Sequence, residues 1–226
     1  MKINLSATDN PNQIYKTFAN EVKKQISQHK TIKPISYSCS LHDIGAIFEQ
    51  RNQIQPLNRL YSNLAEFLVS CGESSLAGIT YSFLIKLNKN NAQLIEKFAT
   101  KALAIAKRQH DPVHIMARAN DLNKIYRITE PGSDKHIKIL YEIKRALAGI
   151  CKNYESTQKR YMSVSTKMKP RKQYEIMLAN IKTEIGELLR FKDPKLAEEE
   201  LLSAREIFTK LGYTDKIKQI NKLLGI

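Results

Sequence analysis

Apolar residues along this chain recur at intervals of three and four and hardly anywhere at two. Residues so spaced share one face of an α-helix. The first clear stripe is Ile14, Phe18, Val22 and Ile26, joined by Tyr15 and Ala19. It comes after a helix start at Asn10–Pro11, with Asn10 or Asp9 as the cap and Pro11 in the first turn. His29–Ser40 contains Pro34 and loses the period, which predicts a linker. Leu41, Ile44, Ile47 and Phe48 predict a second helix from Leu41 to about Asn52, capped by Ser40 with Asp43, and Pro56 separates it from the next helical segment.

Asn58–Asn91 reads as two antiparallel helices. Tyr61, Leu64, Ala65 and Leu68 form one stripe, and Ala77, Tyr81 and Leu84 form another. Ala65 and Ala77 are small where two helices approach, and Leu68 and Tyr81 fill the space beside them. Gly72 lets the chain leave the first helix in the left-handed conformation. Ala92–Gln109 carries Ile95, Phe98, Ala99, Ala102, Leu103 and Ala106 on one face. Asp111–Pro112 starts another helix, running to Ile128, with Ile115, Ala119, Leu122 and Tyr126 inward. After the turn Glu130–Ser133, one long helix is expected from Asp134 to about Tyr161. Arg171–Ile226 repeats the pattern. Ile185, Gly186 and Leu189 lie on its first helix, and Ala197, Leu201, Ala204 and Phe208 lie on its second. Asp193–Pro194 restarts the chain, Gly212 ends the pair, and Thr214–Leu224 closes it. The expectation is an all-α fold of about ten helices stacked as antiparallel hairpins. An N-terminal helical segment over residues 1–56 precedes a repeat region over residues 57–226.

The order aromatic-x2-Leu-small-x2-large, then a turn glycine, then Ala-x3-aromatic in Asn58–Asn91 resembles a tetratricopeptide repeat, whose period is about 34 residues. Lys89 stands where that family has its closing proline, and Leu84 stands where it has a small residue. The resemblance is good over this hairpin, fair at the C-terminus and weak elsewhere. It implies a superhelix of hairpins with a concave groove lined by each first helix. The groove residues it implies are Arg59, Ser62, Asn63 and Glu66 in the first hairpin, then Asn120, Lys124 and Arg127, then Asn180, Thr183, Glu187 and Arg190. Asparagine offers a peptide backbone both donor and acceptor, and the cations pair with acidic side chains. Ser62 and Glu66 stand where a Lys/Asn clamp for a C-terminal carboxylate would be needed, so that ligand is not expected.

Composition changes this picture in two ways. Eight glycines and seven prolines in 226 residues fall below the roughly 12 % of an average chain, which favours long helices and short turns. The charge is +15, from 37 basic and 22 acidic residues, which suggests an acidic partner, although a Lys- and Asn-rich coding bias produces the same excess. Lys152–Lys172 holds seven of the basic residues and one acid, Glu155. Its second half, from Ser163 to Pro170, has no apolar period and reads as a mobile basic loop. Lys159, Arg160, Lys167, Lys169, Arg171 and Lys172, near Tyr154, Tyr161 and Tyr174, are the candidate nucleic-acid contacts. Cations hold phosphates there, and tyrosines can stack on bases.

Catalytic patterns are missing from the sequence: there is no phosphate-binding glycine loop, no HExxH and no GxSxG. Ser-x-x-Lys occurs at Ser27/Lys30 and Ser156/Lys159 without partner motifs. His110 and His114 straddle a helix start and are not expected to share a face. Cys39, Cys71 and Cys151 lack ligand spacing and read as reduced thiols. The start of the chain lacks the apolar run of a signal peptide, and no stretch is apolar enough to span a bilayer. The reading is therefore a cytoplasmic scaffold without cofactor or metal that binds a protein or peptide. An RNA- or DNA-binding helical protein is the alternative.

Overall fold

In the computed structural model the described residues are 11–162 and 168–226. The cap expected at Asp9 or Asn10, Lys167 and most of the expected basic loop lie outside them. Helices succeed one another throughout: α1 Pro11–Ser27, α2 Pro34–Gln50, α3 Ile54–Ser70, α4 Ser74–Leu87, α5 Ala92–Arg108, α6 Pro112–Thr129, α7 Asp134–Lys152, α8 Tyr154–Met162, α9 Arg171–Leu189, α10 Pro194–Leu211 and α11 Thr214–Leu224. No strand occurs among the described residues, and each helix packs on near neighbours in the chain. The fold is all-α, built of sequential helices as the periodicity predicts.

Two compact units form, one ending at Gln109 and one beginning at His110. The division expected at residues 56 and 57 falls inside the first, where α2 packs on both α3 and α4. The apolar faces of the α3–α4 hairpin meet as the spacing requires, with Tyr61, Leu64, Ala65, Leu68, Ala77, Tyr81 and Leu84 all buried. Gly72 turns the chain at φ +78°. Tyrosine hydroxyls tie the helices together: Tyr15 donates to the Leu60 carbonyl at 2.7 Å, and Tyr37 shares a 2.6 Å bond with Thr80 Oγ1.

Three expectations in this unit are corrected. Residues 34–40 are helical rather than linker. Pro34 occupies the first turn of α2, where its fixed φ suits a helix, and Lys33 before it is extended. Tyr37 is then buried against Phe18, with ring centroids 5.6 Å apart. Ser40 sits inside α2 and bonds the Ser36 carbonyl instead of capping a helix. Pro56 belongs to the first turn of α3.

In the second unit, α6 pairs with α7, α9 with α10, α7 packs on α9, and α11 closes on α10. Asp111 accepts from the backbone N–H groups of Val113 and His114, and Asp193 accepts from Leu196, so the two Asp-Pro starts work alike. Gly212 ends α10 at φ +77°. A core of Ala179, Leu201, Ala204, Phe208 and Ile220 lies beneath this C-terminal part. The long helix expected from Asp134 to Tyr161 is broken at Asn153, which leaves helical geometry and starts the shorter α8. Asparagine is a poor helix former. The break also lets Tyr161 turn back onto the start of α6, where its hydroxyl donates to Asp111 Oδ1.

Candidate interaction surfaces

Of the three groups of groove residues, the first falls in the first unit and the other two in the second. In the first unit, α3 presents Arg59 and Asn63 to solvent and keeps Ser62 half-buried. Glu66, one turn on, pairs with Lys101 of α5 at 2.9 Å. That contact lowers the Glu66 pKa and raises that of Lys101. In the second unit, Lys124 and Arg127 of α6 are exposed and Asn120 is half-buried. Arg127 reaches α9, where its Nε and a terminal nitrogen bond the two oxygens of Glu184 at 3.1 and 2.6 Å. Asn180, Glu187 and Arg190 are exposed, and Thr183 returns its hydroxyl to the Ala179 carbonyl. The inferred lining of the second unit thus lies on two helices joined across their seam. In each unit a salt bridge links the first helix of a hairpin to a later helix.

Beneath that seam is a buried polar anchor. His136 accepts the Gly132 N–H at Nδ1 (3.1 Å) and meets Asn123 Oδ1 through Nε2 (2.9 Å). This bonding requires a neutral imidazole with its proton on Nε2. Burial pushes the His136 pKa down, against the pull of Glu184 at 3.6 Å.

Three residues on this face escaped the sequence reading: Glu184, Ile128 and Phe191. Ile128 is 82 % exposed and Phe191 is 93 % exposed. For Ile128 the spacing offered a signal, because it stands four residues after Lys124 on α6, whereas Phe191 lies in the turn beyond α9. Both flank one end of the unit, where Lys192 of the α9–α10 turn donates to the Gly132 carbonyl of the α6–α7 turn at 2.7 Å.

The basic segment is less open than its composition suggests. Lys159 and Arg160 lie exposed on α8, Lys169 precedes α9, and Arg171 and Lys172 form its first turn. Arg171 is paired with Glu175 at 3.0 Å, and Arg160 approaches Asp111 at 4.0 Å. Tyr161 and Tyr174 are buried, and Tyr154 bonds the Lys169 carbonyl at 2.9 Å. Tyr161 turns to the start of α6, and the Tyr154 and Tyr174 rings lie against each other with centroids 6.3 Å apart, so the three are not presented as stacking platforms.

Asp111 is a buried carboxylate. Burial alone would raise its pKa, but bonds from His114, Tyr161 and the backbone hold it well below the usual carboxylate range. His114 stands 2.8 Å from Asp111, and His110 leaves α5 at φ +50°. Cys39, Cys71 and Cys151 are free thiols. Among the described residues no cluster of His, Cys, Asp and Glu is arranged to hold a metal, and no helix is long and apolar enough to cross a membrane. No protein-family model matches this sequence, and no curated protein matches it.

Proposed function

We propose that this chain is a non-catalytic, tetratricopeptide-like scaffold of the cytoplasm that holds an acidic protein or peptide. Its contact face in this reading comprises Asn120, Lys124 and Arg127 of α6 with Asn180, Thr183 and Arg190 of α9. Arg59, Ser62 and Asn63 play the same part in the first unit. The observation that carries the reading is the Arg127–Glu184 pair, which ties α6 to α9, with Lys124, Asn180 and Arg190 left exposed around it. Ile128 and Phe191, both exposed near the ends of these helices, add apolar contact area in this reading. The net charge favours an acidic occupant.

The rival reading is nucleic-acid binding through Lys159, Arg160, Lys169, Arg171 and Lys172. The buried Tyr161 and Tyr174 and the Arg171–Glu175 pair of that segment speak against it. Affinity capture from the native cell separates the two, using three forms of the protein with and without nuclease. Lys124→Glu with Asn180→Ala should weaken the captured partner. Lys159→Ala with Lys169→Ala and Lys172→Ala should leave it. Loss of the partner from the second variant, together with its release by nuclease, would overturn the scaffold reading. Nucleic-acid binding would then show the steep salt dependence of phosphate contacts.

A further inference from the structure

Helix α7 contains a glycine that its surroundings do not require. Gly149 lies inside the helix with no positive φ, and a methyl group built on it would meet no atom within 4 Å. Gly186 of α9 differs, because the same methyl group would lie 2.6 Å from Leu201 Cγ. Glycine is a poor helix former, so one without a backbone or packing role weakens the helix. Over Gly149 lies a cleft of about 550 Å³ between α6, α7 and α8, wholly within the second unit. Such a volume falls within the range of roughly 300–1,000 Å³ typical of small-ligand sites. The bare backbone at Gly149 keeps that space open.

The walls are of two kinds. Ile115 of α6 and Ala146 of α7, with Gly149, make an apolar floor. Arg145 of α7 and Arg160 of α8 stand at the rim, and Thr157 of α8 also lines the wall. Both arginine side chains are largely exposed, at 67 % and 60 %, while the carboxylates they approach are buried, Glu142 in the cleft wall itself and Asp111 outside it. Glu142 holds Arg145 at 2.9 Å, and Asp111 approaches Arg160 at 4.0 Å. The third wall is fixed in turn, because Tyr161 of α8 bonds both Asp111 and His114 of the α6 start. A guanidinium has five N–H donors, so one that spends part of them on a carboxylate keeps others for an oxyanion.

We propose that this cleft binds a small organic anion, a phosphate or carboxylate carried on an apolar or aromatic body. The anion meets Arg145 and Arg160, and the body rests on the floor over Gly149. The proposal does not depend on the scaffold reading, since none of these residues lies on the α6–α9 face; only Arg160 is shared, and that with the rival basic segment.

The test uses the full chain, isotopically labelled, and three probes: phenyl phosphate, benzoate and adenosine monophosphate. Inorganic phosphate and benzyl alcohol serve as controls that lack the body or the charge. At least one probe should shift the Gly149 amide and the Arg145 and Arg160 Nε–H resonances saturably, and about tenfold more tightly than either control. Gly149→Leu should abolish that binding without lowering the melting temperature. Gly149→Ala, with a single methyl group, should weaken it if the leucine variant folds poorly. Arg145→Gln with Arg160→Gln should remove the preference over benzyl alcohol. The proposal is overturned if none of the probes moves Gly149, or if both Gly149 variants bind as the wild type does.

Discussion

Gly186 of α9 and Leu201 of α10 approach so closely that a Cβ on the glycine would lie 2.6 Å from Leu201 Cγ and 3.1 Å from the Ala197 carbonyl oxygen. The two helices of the last hairpin depend on this missing side chain. Gly186→Ala should therefore destabilise the protein by about 1–3 kcal/mol, the usual cost of overpacking, although alanine is the better helix former. Gly149→Ala should move the other way, by about 0.5–1 kcal/mol, because its methyl group meets open space. Denaturant titration of both variants checks the pair. Equal signs would show that the α9–α10 approach is looser than it looks.

Ala77 is fully buried at the contact of α3 and α4, whereas Ser62 faces partly outward from α3. Ala77→Leu should cost about 1–3 kcal/mol and Ser62→Leu well under 1 kcal/mol. Melting curves that fall alike would mean that the hairpin register is wrong.

His136 should make stability depend on pH. Burial lowers its pKa below the ordinary value of 6.5, so the folded state favours the neutral ring. Between the two pKa values the unfolded chain binds more protons, and stability then rises with pH. The contribution is present above pH 6.5 and is lost as pH falls from there through the folded value. Unfolding free energies measured between pH 7.5 and 5, in steps of roughly half a unit, should show this slope. His136→Gln should flatten it, whatever its own cost at neutral pH. An unchanged slope would place the acid sensitivity elsewhere.

Tyr161→Phe removes a donor to the buried Asp111 carboxylate. Bonds to charged groups are worth about 1.5–3 kcal/mol, so a loss of that order is expected. Asp111 is held well below 3.8, its ordinary pKa, so its contribution persists above that value and disappears only in more acidic solution. The deficit of the phenylalanine variant should consequently be the same at pH 7 and pH 5. A deficit that vanishes by pH 5 would show that Asp111 is not held ionised.

Much of the fold was legible in the chain because helical burial is a local, periodic signal. The stripe Tyr61, Leu64, Ala65 and Leu68 names its own face, and all four are buried as read. Asp111 and Asp193 announced their helices, since a cap needs only its own residue and the next three. Helix ends carried by glycine were equally plain at Gly72 and Gly212. Those carried by His29, Asn52 and His110, which take positive φ without being glycine, left no comparable mark. Pro34 misled the reading because proline both breaks helices and starts them, and the burial of Tyr37 chose the second.

The surfaces were less legible. Asn120, Lys124 and Arg127 could be placed on one helix face by spacing alone, but the pairing of Arg127 with Glu184 of α9 joins residues 57 positions apart. The break at Asn153 has the same origin, since Tyr161 finds Asp111 across 50 residues. By itself, then, the sequence determined most of the helices, the caps at Asp111 and Asp193 and the inward face of nearly every helix. These arise from interactions within a turn or two. Only the tertiary structure decided which helix faces meet, which cations are already paired, and that an open cleft lies over Gly149. Those outcomes depend on helices distant in the chain, and local periodicity carries no information about them.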